Sequence, residues 1–289
     1  MNRKDFLKKS ILGSILIGAA GSTTAKVASK PETTPVGFNH LPHTNSKVMT
    51  NSVLHKANSR GGANHGWLNA KHTFSFANYY NPDRMNFGVL RVLNDDTIAG
   101  GTGFGTHPHD NMEIITIPLE GALRHKDSLG NTAVIENGEI QVMSAGTGVF
   151  HSEHNDKQKE ETKLLQIWVY PNKRNVEPRY DQIKISDNAE HNAFQQVLSP
   201  DPNDAGVWIH QDAWFHLGTF DANQKTTYNL KLKGNGVYVF IIKGGAKVNE
   251  QELETRDGYG IWDIDSFEIT TTENDTQILL MEVPMQLNS

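Results

Sequence analysis

Two pairs of potential metal ligands constrain this chain more than any other feature of its sequence. His107 and His109 stand two residues apart in GTGFGTHPHDNME, and His151 and Glu153 repeat that spacing in SAGTGVFHSEHN. Successive side chains of a β-strand point to opposite faces of the sheet, so residues two apart share a face. We therefore expect each pair to direct both of its members to the same side of a sheet.

The segment between the two pairs is typical of consecutive antiparallel strands. Its short apolar runs are broken by the turn sequences EGA, SLGN and ENGE. Two strands of one closed sheet would bring His107, His109, His151 and Glu153 together in its interior. Three imidazoles and one carboxylate leave positions on a divalent transition metal open for water or substrate. A single histidine in a strand is more often a core or surface residue, but two matched pairs favour a metal site.

These residues resemble the two motifs of the cupin superfamily. The first motif corresponds to His107, His109, Glu113 and Gly121, and the second to Gly148, His151 and Asn155. Within the cupins, the chain from about residue 65 to residue 182 resembles the pirin family. The resemblance is carried by HGWLNAKHTFSFANYY, THPHDNMEIIT, HKDSLGN, QVMSAGTGVFHSE and LLQIWVYP. It implies an all-β protein made of two tandem cupin domains, each a jelly-roll β-barrel.

Spacing alone leaves the identity of the carboxylate ligand open. Glu113 has the same parity as His109, so either Glu113 or Glu153 could face the metal. In ordinary cupins the carboxylate ligand occupies the position of Glu113, whereas in pirins it occupies that of Glu153. The pirin resemblance therefore implies Glu153 as the ligand, with Glu113 as an inward partner that orients an imidazole.

Composition and charge limit the class of protein. The 289 residues are 37% hydrophobic, which is enough for two domains, and we place a metal-binding cupin at 48–182 and a second cupin without metal ligands at 183–289. The chain has no cysteine, so thiolate ligands are excluded. The net charge of −6 and the lack of a basic cluster argue against a nucleic-acid partner.

The first 25 residues are typical of an export signal. Arg3, Lys4, Lys8 and Lys9 precede an apolar segment that is too short to span a bilayer. The stretch NRKDFLKKS resembles the twin-arginine transport motif, with lysine in place of the second arginine. We expect an exported protein of the periplasm or cell envelope, without stable membrane insertion after signal removal, and a flexible linker over 26–47.

Two further groups of side chains near the pairs are expected to serve as packing. His72, Phe74 and Phe76 share one parity and are interpreted as an inward aromatic stripe. Gln166 and Trp168 also share a parity and could line a cavity, although core packing is the expected role for both.

The pirin resemblance implies a quercetin 2,3-dioxygenase, which opens a flavonol ring and releases carbon monoxide. Glu153 would act both as ligand and as base, and the partners would be a small aromatic substrate and O₂. The cofactor would be one divalent transition metal, with iron as the first candidate and nickel, copper, zinc or cobalt as alternatives. Two other functions stay open: a metal-dependent binding or sensor protein without turnover, and an isomerase or lyase that needs no oxygen.

Overall fold

The computed structural model describes residues 51–185 and 189–287, and within them the chain is built almost entirely of β-strands. The predicted signal and linker therefore lie outside the described residues. The strands of the first half are β1 (Asn51–His55), β2 (Gly61–Asn64), β3 (Leu68–His72), β4 (Leu90–Ile98), β5 (Gly103–His109), β6 (Glu113–Glu120), β7 (Ala122–Asp127), β8 (Thr132–Glu136), β9 (Glu139–Ser144), β10 (Val149–Asn155), β11 (Thr162–Val169) and β12 (Arg179–Lys184). A single 3₁₀ turn, Ala57–Ser59, follows β1 in this part of the chain.

The strands of the second half are β13 (Phe194–Ser199), β14 (Val207–Trp208), β15 (Trp214–Phe220), β16 (Lys225–Asn229), β17 (Asn235–Lys243), β18 (Ala246–Val248), β19 (Gln251–Leu253), β20 (Gly258–Trp262), β21 (Ser266–Thr271) and β22 (Thr276–Pro284). No helix among the described residues is long and apolar enough to cross a membrane.

Each half of the chain folds into a barrel made of a seven-stranded and a four-stranded sheet. In the first barrel the order β12-β9-β6-β11-β4-β3-β2 faces the order β5-β10-β7-β8. In the second, β1-β20-β17-β22-β15-β13-β14 faces β16-β21-β18-β19. The predicted fold class, all-β with two tandem jelly-roll barrels, is confirmed.

Strand β1 lies in the second barrel although it precedes the first in sequence. It pairs antiparallel with β20 over its whole length, from Asn51 opposite Trp262 to His55 opposite Gly258. The sequence prediction places this segment in the first domain, at 48–182. That placement of β1 is wrong, because the pairing partner of a strand does not follow from its position in the chain. The N-terminal strand thus joins the two barrels.

The two seven-stranded sheets pack against each other through the largest apolar cluster of the molecule. The first barrel contributes Ile115 and Ile167, and the second contributes Tyr238 and Leu279, each less than 1% exposed. Burying a side chain of this size stabilises the fold by roughly 1.5–3 kcal/mol. Because the seven-stranded sheet of the first barrel is covered on both faces, its strands carry almost continuous apolar runs such as LLQIWV.

The interiors of the two barrels differ. Thirteen buried apolar side chains fill the second barrel between its sheets, among them Phe220, Val239 and Leu280. The corresponding space of the first barrel is only partly filled and contains a cavity. The fold therefore places a site in the first barrel, where the ligand pairs lie.

Candidate metal centre

The two ligand pairs lie on neighbouring antiparallel strands of the four-stranded sheet. β10 pairs with β5, and His151 stands directly opposite His107. His107, His109, His151 and Glu153 are all buried, while the residues between them in each strand are more exposed. The predicted sharing of one face within each pair is therefore confirmed.

A bulge in β5 adjusts the approach of the two strands. Glu153 is opposite Phe104 although His151 is opposite His107, so β5 carries one extra residue in this interval. A β-bulge bends its strand and redirects the neighbouring side chains. Here it lies next to the carbonyl of Gly105, which accepts a hydrogen bond from His107 Nδ1 at 2.8 Å.

The turn before β10 depends on glycine at position 146. Gly146 has a φ of +47°, in the left-handed region that other residues adopt only with strain. A Cβ atom there would also collide with the carbonyl oxygen of Val176. The chain can thus enter β10 with His151 and Glu153 inward only because this residue has no side chain.

The three imidazoles converge on one point. The ring centroids of His107 and His151 are 4.4 Å apart, and each lies 4.8 Å from the ring of His109. One ring nitrogen from each residue lies within 4.8 Å of the other two. Among residues 51–185 and 189–287, this is the one group of three or more histidine or acidic side chains with such a geometry.

The protonation state of these imidazoles suits a metal. Burial lowers the pKa of His107 and that of His109, the latter to about 3, and burial together with the neighbouring histidines holds the pKa of His151 well below its usual value. All three are therefore neutral at pH 7. Because His107 Nδ1 donates to Gly105, its Nε2 carries a lone pair, and that atom lies 2.9 Å from His151 Nε2. Neutral imidazole nitrogens that converge in this way are donors that a divalent transition metal accepts, so the residues fit such an ion.

Glu153 lies in the same interior but outside the group of converging nitrogens. The residue is 6% exposed, and its Oε1 accepts a hydrogen bond of 3.2 Å from Gln166 Nε2. Burial raises the pKa of Glu153 to about 7. The expectation that Gln166 is core packing is wrong, because its amide lies beside the carboxyl group and lines the cavity.

Glu113 does not orient one of the imidazoles, and the sequence prediction of that role is wrong. Its Oε2 accepts a hydrogen bond of 2.6 Å from Ser144 Oγ, and the cationic Arg179 and the backbone of His210 lie on the same side. Parity fails here because Asn111, with a φ of +44°, lies in the turn between β5 and β6, which belong to different sheets. Glu113 consequently faces the second barrel.

A cavity that opens to solvent adjoins the imidazoles. Eight of its fifteen lining residues are apolar and seven are polar or charged, and most of the surface that they expose to the cavity is apolar. The lining residues are Leu68, Ala70, His72, Phe76, Asn94, Asp96, Ile98, Phe104, His107, His109, Leu123, Glu153, Leu164, Gln166 and Trp168. An apolar cavity with a few convergent polar groups is the usual form of a small-molecule site.

The predicted aromatic stripe is only partly correct. His72 and Phe76 line the cavity, and the ring of Phe76 packs edge-on against Trp168 with centroids 5.4 Å apart. Phe74, however, belongs to the cluster between the barrels and contacts Tyr238. Strand β3 ends at His72, so the alternation of faces does not continue to Phe74.

Sequence reasoning assigned no role to His125, which packs directly behind the imidazole group. Its ring lies 5.3 Å from that of His151, and its Nε2 is 3.0 Å from Asp127 Oδ2. Asp127 also accepts backbone hydrogen bonds from Leu129 and Asn131, which hold the turn after β7. The motif HKDSLGN contains all of these residues, but its letters alone do not reveal that the turn supports a metal ligand.

Comparisons with known proteins agree with this geometry. Residues 53–169 match the family description Pirin, and residues 196–283 match the description Quercetinase C-terminal cupin domain. A curated quercetin 2,3-dioxygenase of Escherichia coli strain K12 is 43% identical over 231 residues, which cover 80% of this chain and 98% of the relative. The chain belongs to the pirin family.

Other pirin relatives extend the comparison. A putative quercetin 2,3-dioxygenase of Pseudomonas aeruginosa is 44% identical and covers 77% of this chain and 95% of its own. The crystal structure of the bacterial pirin YhhW of Escherichia coli, in complex with nickel(II), has a TM-score of 0.76 and 42% identity. That match covers 81% of this chain and 99% of the YhhW chain. The predicted family is thus confirmed.

Proposed function

We propose that this pirin is a metal-dependent dioxygenase that opens the ring of a flavonol-like substrate with O₂. The observation that carries the proposal is the convergence of three neutral, buried imidazoles at the wall of an apolar cavity. The relatives named quercetin 2,3-dioxygenase support the choice of substrate class.

The metal would be held by His107, His109 and His151, and we propose Glu153 as a fourth ligand. When bound, a divalent transition metal would polarise an oxygen of the substrate and bring it together with O₂. The nickel(II) complex of YhhW supports a divalent ion at such a site. Imidazole ligands suit iron, nickel, copper, zinc and cobalt alike, so the ion that the cell loads depends on its supply.

Glu153 is the residue best placed to accept the proton of a substrate hydroxyl. Burial raises the pKa of Glu153 to about 7 in the metal-free chain, so its carboxyl group takes up a proton more readily than an exposed glutamate does. The amide of Gln166 donates to Oε1 of Glu153 and to Thr116 Oγ1, both at 3.2 Å, and thereby restricts the orientation of the carboxyl group. The carboxyl oxygen that does not hold the metal would then take the proton of the hydroxyl and hold it during ring opening.

The apolar wall would position a flat aromatic substrate and exclude water. Phe76 and Trp168 form one side near His109, whose ring lies 4.9 Å from that of Trp168. Phe104 lines the cavity beside His107, with ring centroids 6.4 Å apart. Excluding water from such a site strengthens the electrostatic interactions inside it and prevents side reactions.

Oxygen uptake with quercetin tests the proposal. Metal-loaded protein should consume one O₂ and release one carbon monoxide for each flavonol opened, and metal-stripped protein should do neither. The variant Glu153→Gln should keep its metal but lose turnover by roughly 10²–10⁴-fold. Absence of O₂ uptake with any flavonol would refute the enzyme proposal. Binding without turnover would then favour a sensor, and conversion without oxygen would favour an isomerase or lyase.

We also propose that the protein is exported. The basic start of the chain, with Arg3, Lys4, Lys8 and Lys9 before an apolar segment, supports this location. Fractionation of cells that produce the full chain should recover a shortened protein in the periplasm or envelope. Recovery of the uncut chain in the cytoplasm would contradict it.

A further inference from the structure

A buried carboxyl group without a protein partner lies in the wall of the cavity. Asp96 is 5% exposed, and its Oδ1 has no hydrogen-bond partner among the described residues. In the sheet it stands between Ala70 on β3 and Leu164 on β11, both apolar. Burial among these groups raises the pKa of Asp96 well above its usual value, and the charges of Asp95 and Glu153 add to this effect.

His72 provides a second unpartnered polar atom in the same wall. Its Nδ1 lies 2.9 Å from Asn94 Oδ1, and because that oxygen can only accept, Nδ1 carries the proton. Its Nε2 therefore presents a lone pair, and this atom is buried without a hydrogen-bond partner in the described part of the chain. His72 pairs with Asn94, which lies two residues before Asp96 on the same face of β4, so the two orphaned atoms belong to neighbouring positions on one face of the sheet.

Strand register places Asp96 at a distance from the part of the cavity wall that contacts His109. Trp168, whose ring contacts His109, stands beside Val92, whereas Asp96 lies four residues further along β4. A strand rises about 3.3 Å per residue, so the level of Asp96 is roughly 13 Å from that of Trp168. His72 lies between these two levels, opposite Asn94.

The carboxylate of the neighbouring Asp95, unlike that of Asp96, is paired with basic side chains. Asp95 points to the other face of β4 and pairs with Arg60 at 3.1 Å and with Arg256 at 3.5 Å. A buried polar group without a hydrogen bond is destabilising, and native structures rarely keep one without a ligand or water to satisfy it. Asp96 Oδ1 and His72 Nε2 are thus available to hydrogen-bond a polar ligand in the cavity.

We propose that Asp96, together with His72, forms a subsite for a substrate hydroxyl group other than those that bind the metal. A hydroxyl both donates and accepts, so it suits both the Asp96 carboxyl and the His72 lone pair. The preferred substrate is therefore an aromatic compound that carries a hydroxyl in addition to its metal-binding oxygens. The orientation relative to the metal rests on the proposed function above.

The first test compares two flavonols in anaerobic binding to metal-loaded protein. Quercetin carries ring hydroxyls, whereas 3-hydroxyflavone keeps the same metal-binding oxygens but lacks every other hydroxyl. Wild-type protein should bind quercetin at least about tenfold more tightly, and Asp96→Leu should reduce this preference to about twofold or less. Asp95→Asn is the matched control, because it removes a carboxylate from the same strand on the opposite face, and it should keep the preference.

The second test needs neither the metal-binding oxygens nor turnover. Phenol and toluene have nearly the same shape, and binding of each to the metal-loaded chain is followed by NMR. Wild type should prefer phenol, and Asp96→Leu should prefer toluene and should melt at a temperature no lower than wild type, because it removes an unsatisfied group. Equal phenol binding by wild type and Asp96→Leu would overturn the subsite, since Asp96 would then hold only a water. A retained phenol preference without flavonol turnover would refute the dioxygenase proposal alone.

Discussion

The pH dependence of metal affinity offers a sharp prediction from the charge state of the site. Burial holds the pKa of Glu153 at about 7 in the metal-free chain, while His109 has a pKa of about 3 and the other two imidazoles are also lowered. Below pH 7 the metal must therefore displace a proton from Glu153, whereas burial favours the neutral form of the imidazoles. The affinity should fall as the pH falls.

The magnitude follows from this single proton. The apparent dissociation constant should rise about tenfold from pH 8 to pH 6. A site whose histidines kept their ordinary pKa near 6.5 would instead lose up to three protons and show a much steeper dependence. The slope thus distinguishes a carboxyl-controlled site from an imidazole-controlled one.

Competition between the protein and a chromophoric chelator for nickel(II), repeated at each pH, measures this slope. Glu153→Gln has no titrating group at that position and should give a flat profile from pH 8 to pH 6. A flat wild-type profile would show that Glu153 does not bind the metal. A slope near three would show that the imidazoles are protonated in the free protein, which would contradict the lowering of their pKa values by burial.

Three substitutions test the roles of individual side chains. Gly146→Ala introduces a collision with the Val176 carbonyl at a positive φ, and chemical denaturation should show a loss of more than about 1 kcal/mol. Glu113→Ala leaves Ser144 without its acceptor and should lower the unfolding free energy by roughly 1–3 kcal/mol, while metal content stays at the wild-type level; a loss of metal would place Glu113 at the site. Gln166→Leu removes the donor to Glu153 and should shift the acidic limb of the pH–rate profile upward, and an unchanged profile would contradict that contact.

The ligand pairs could be predicted from the sequence because they rest on a short and local rule. His107 with His109, and His151 with Glu153, need only the two-residue period of a strand, and both lie within uninterrupted strands. The prediction for Glu113 failed because it carried that period across the turn at Asn111, where the chain passes to another sheet. Parity is reliable only within one strand.

The cavity wall could not be predicted in the same way. Gln166 lies in an apolar run that is typical of core, and the sequence does not show that one face of β11 borders a cavity while the other meets the second barrel. Asp96 and Asp95 are adjacent and identical in type, yet one is unpartnered in the wall and the other is paired with arginines. Such differences depend on which strands flank β4, which only the folded arrangement defines.

X-ray absorption at the edge of the bound metal tests the central claim most directly. We predict one metal ion per chain with scattering from three imidazoles and from oxygen ligands, and the loss of one imidazole in His151→Ala. A metal with fewer than three imidazole ligands in the wild type, or a spectrum that His151→Ala leaves unchanged, would contradict a site built from His107, His109 and His151.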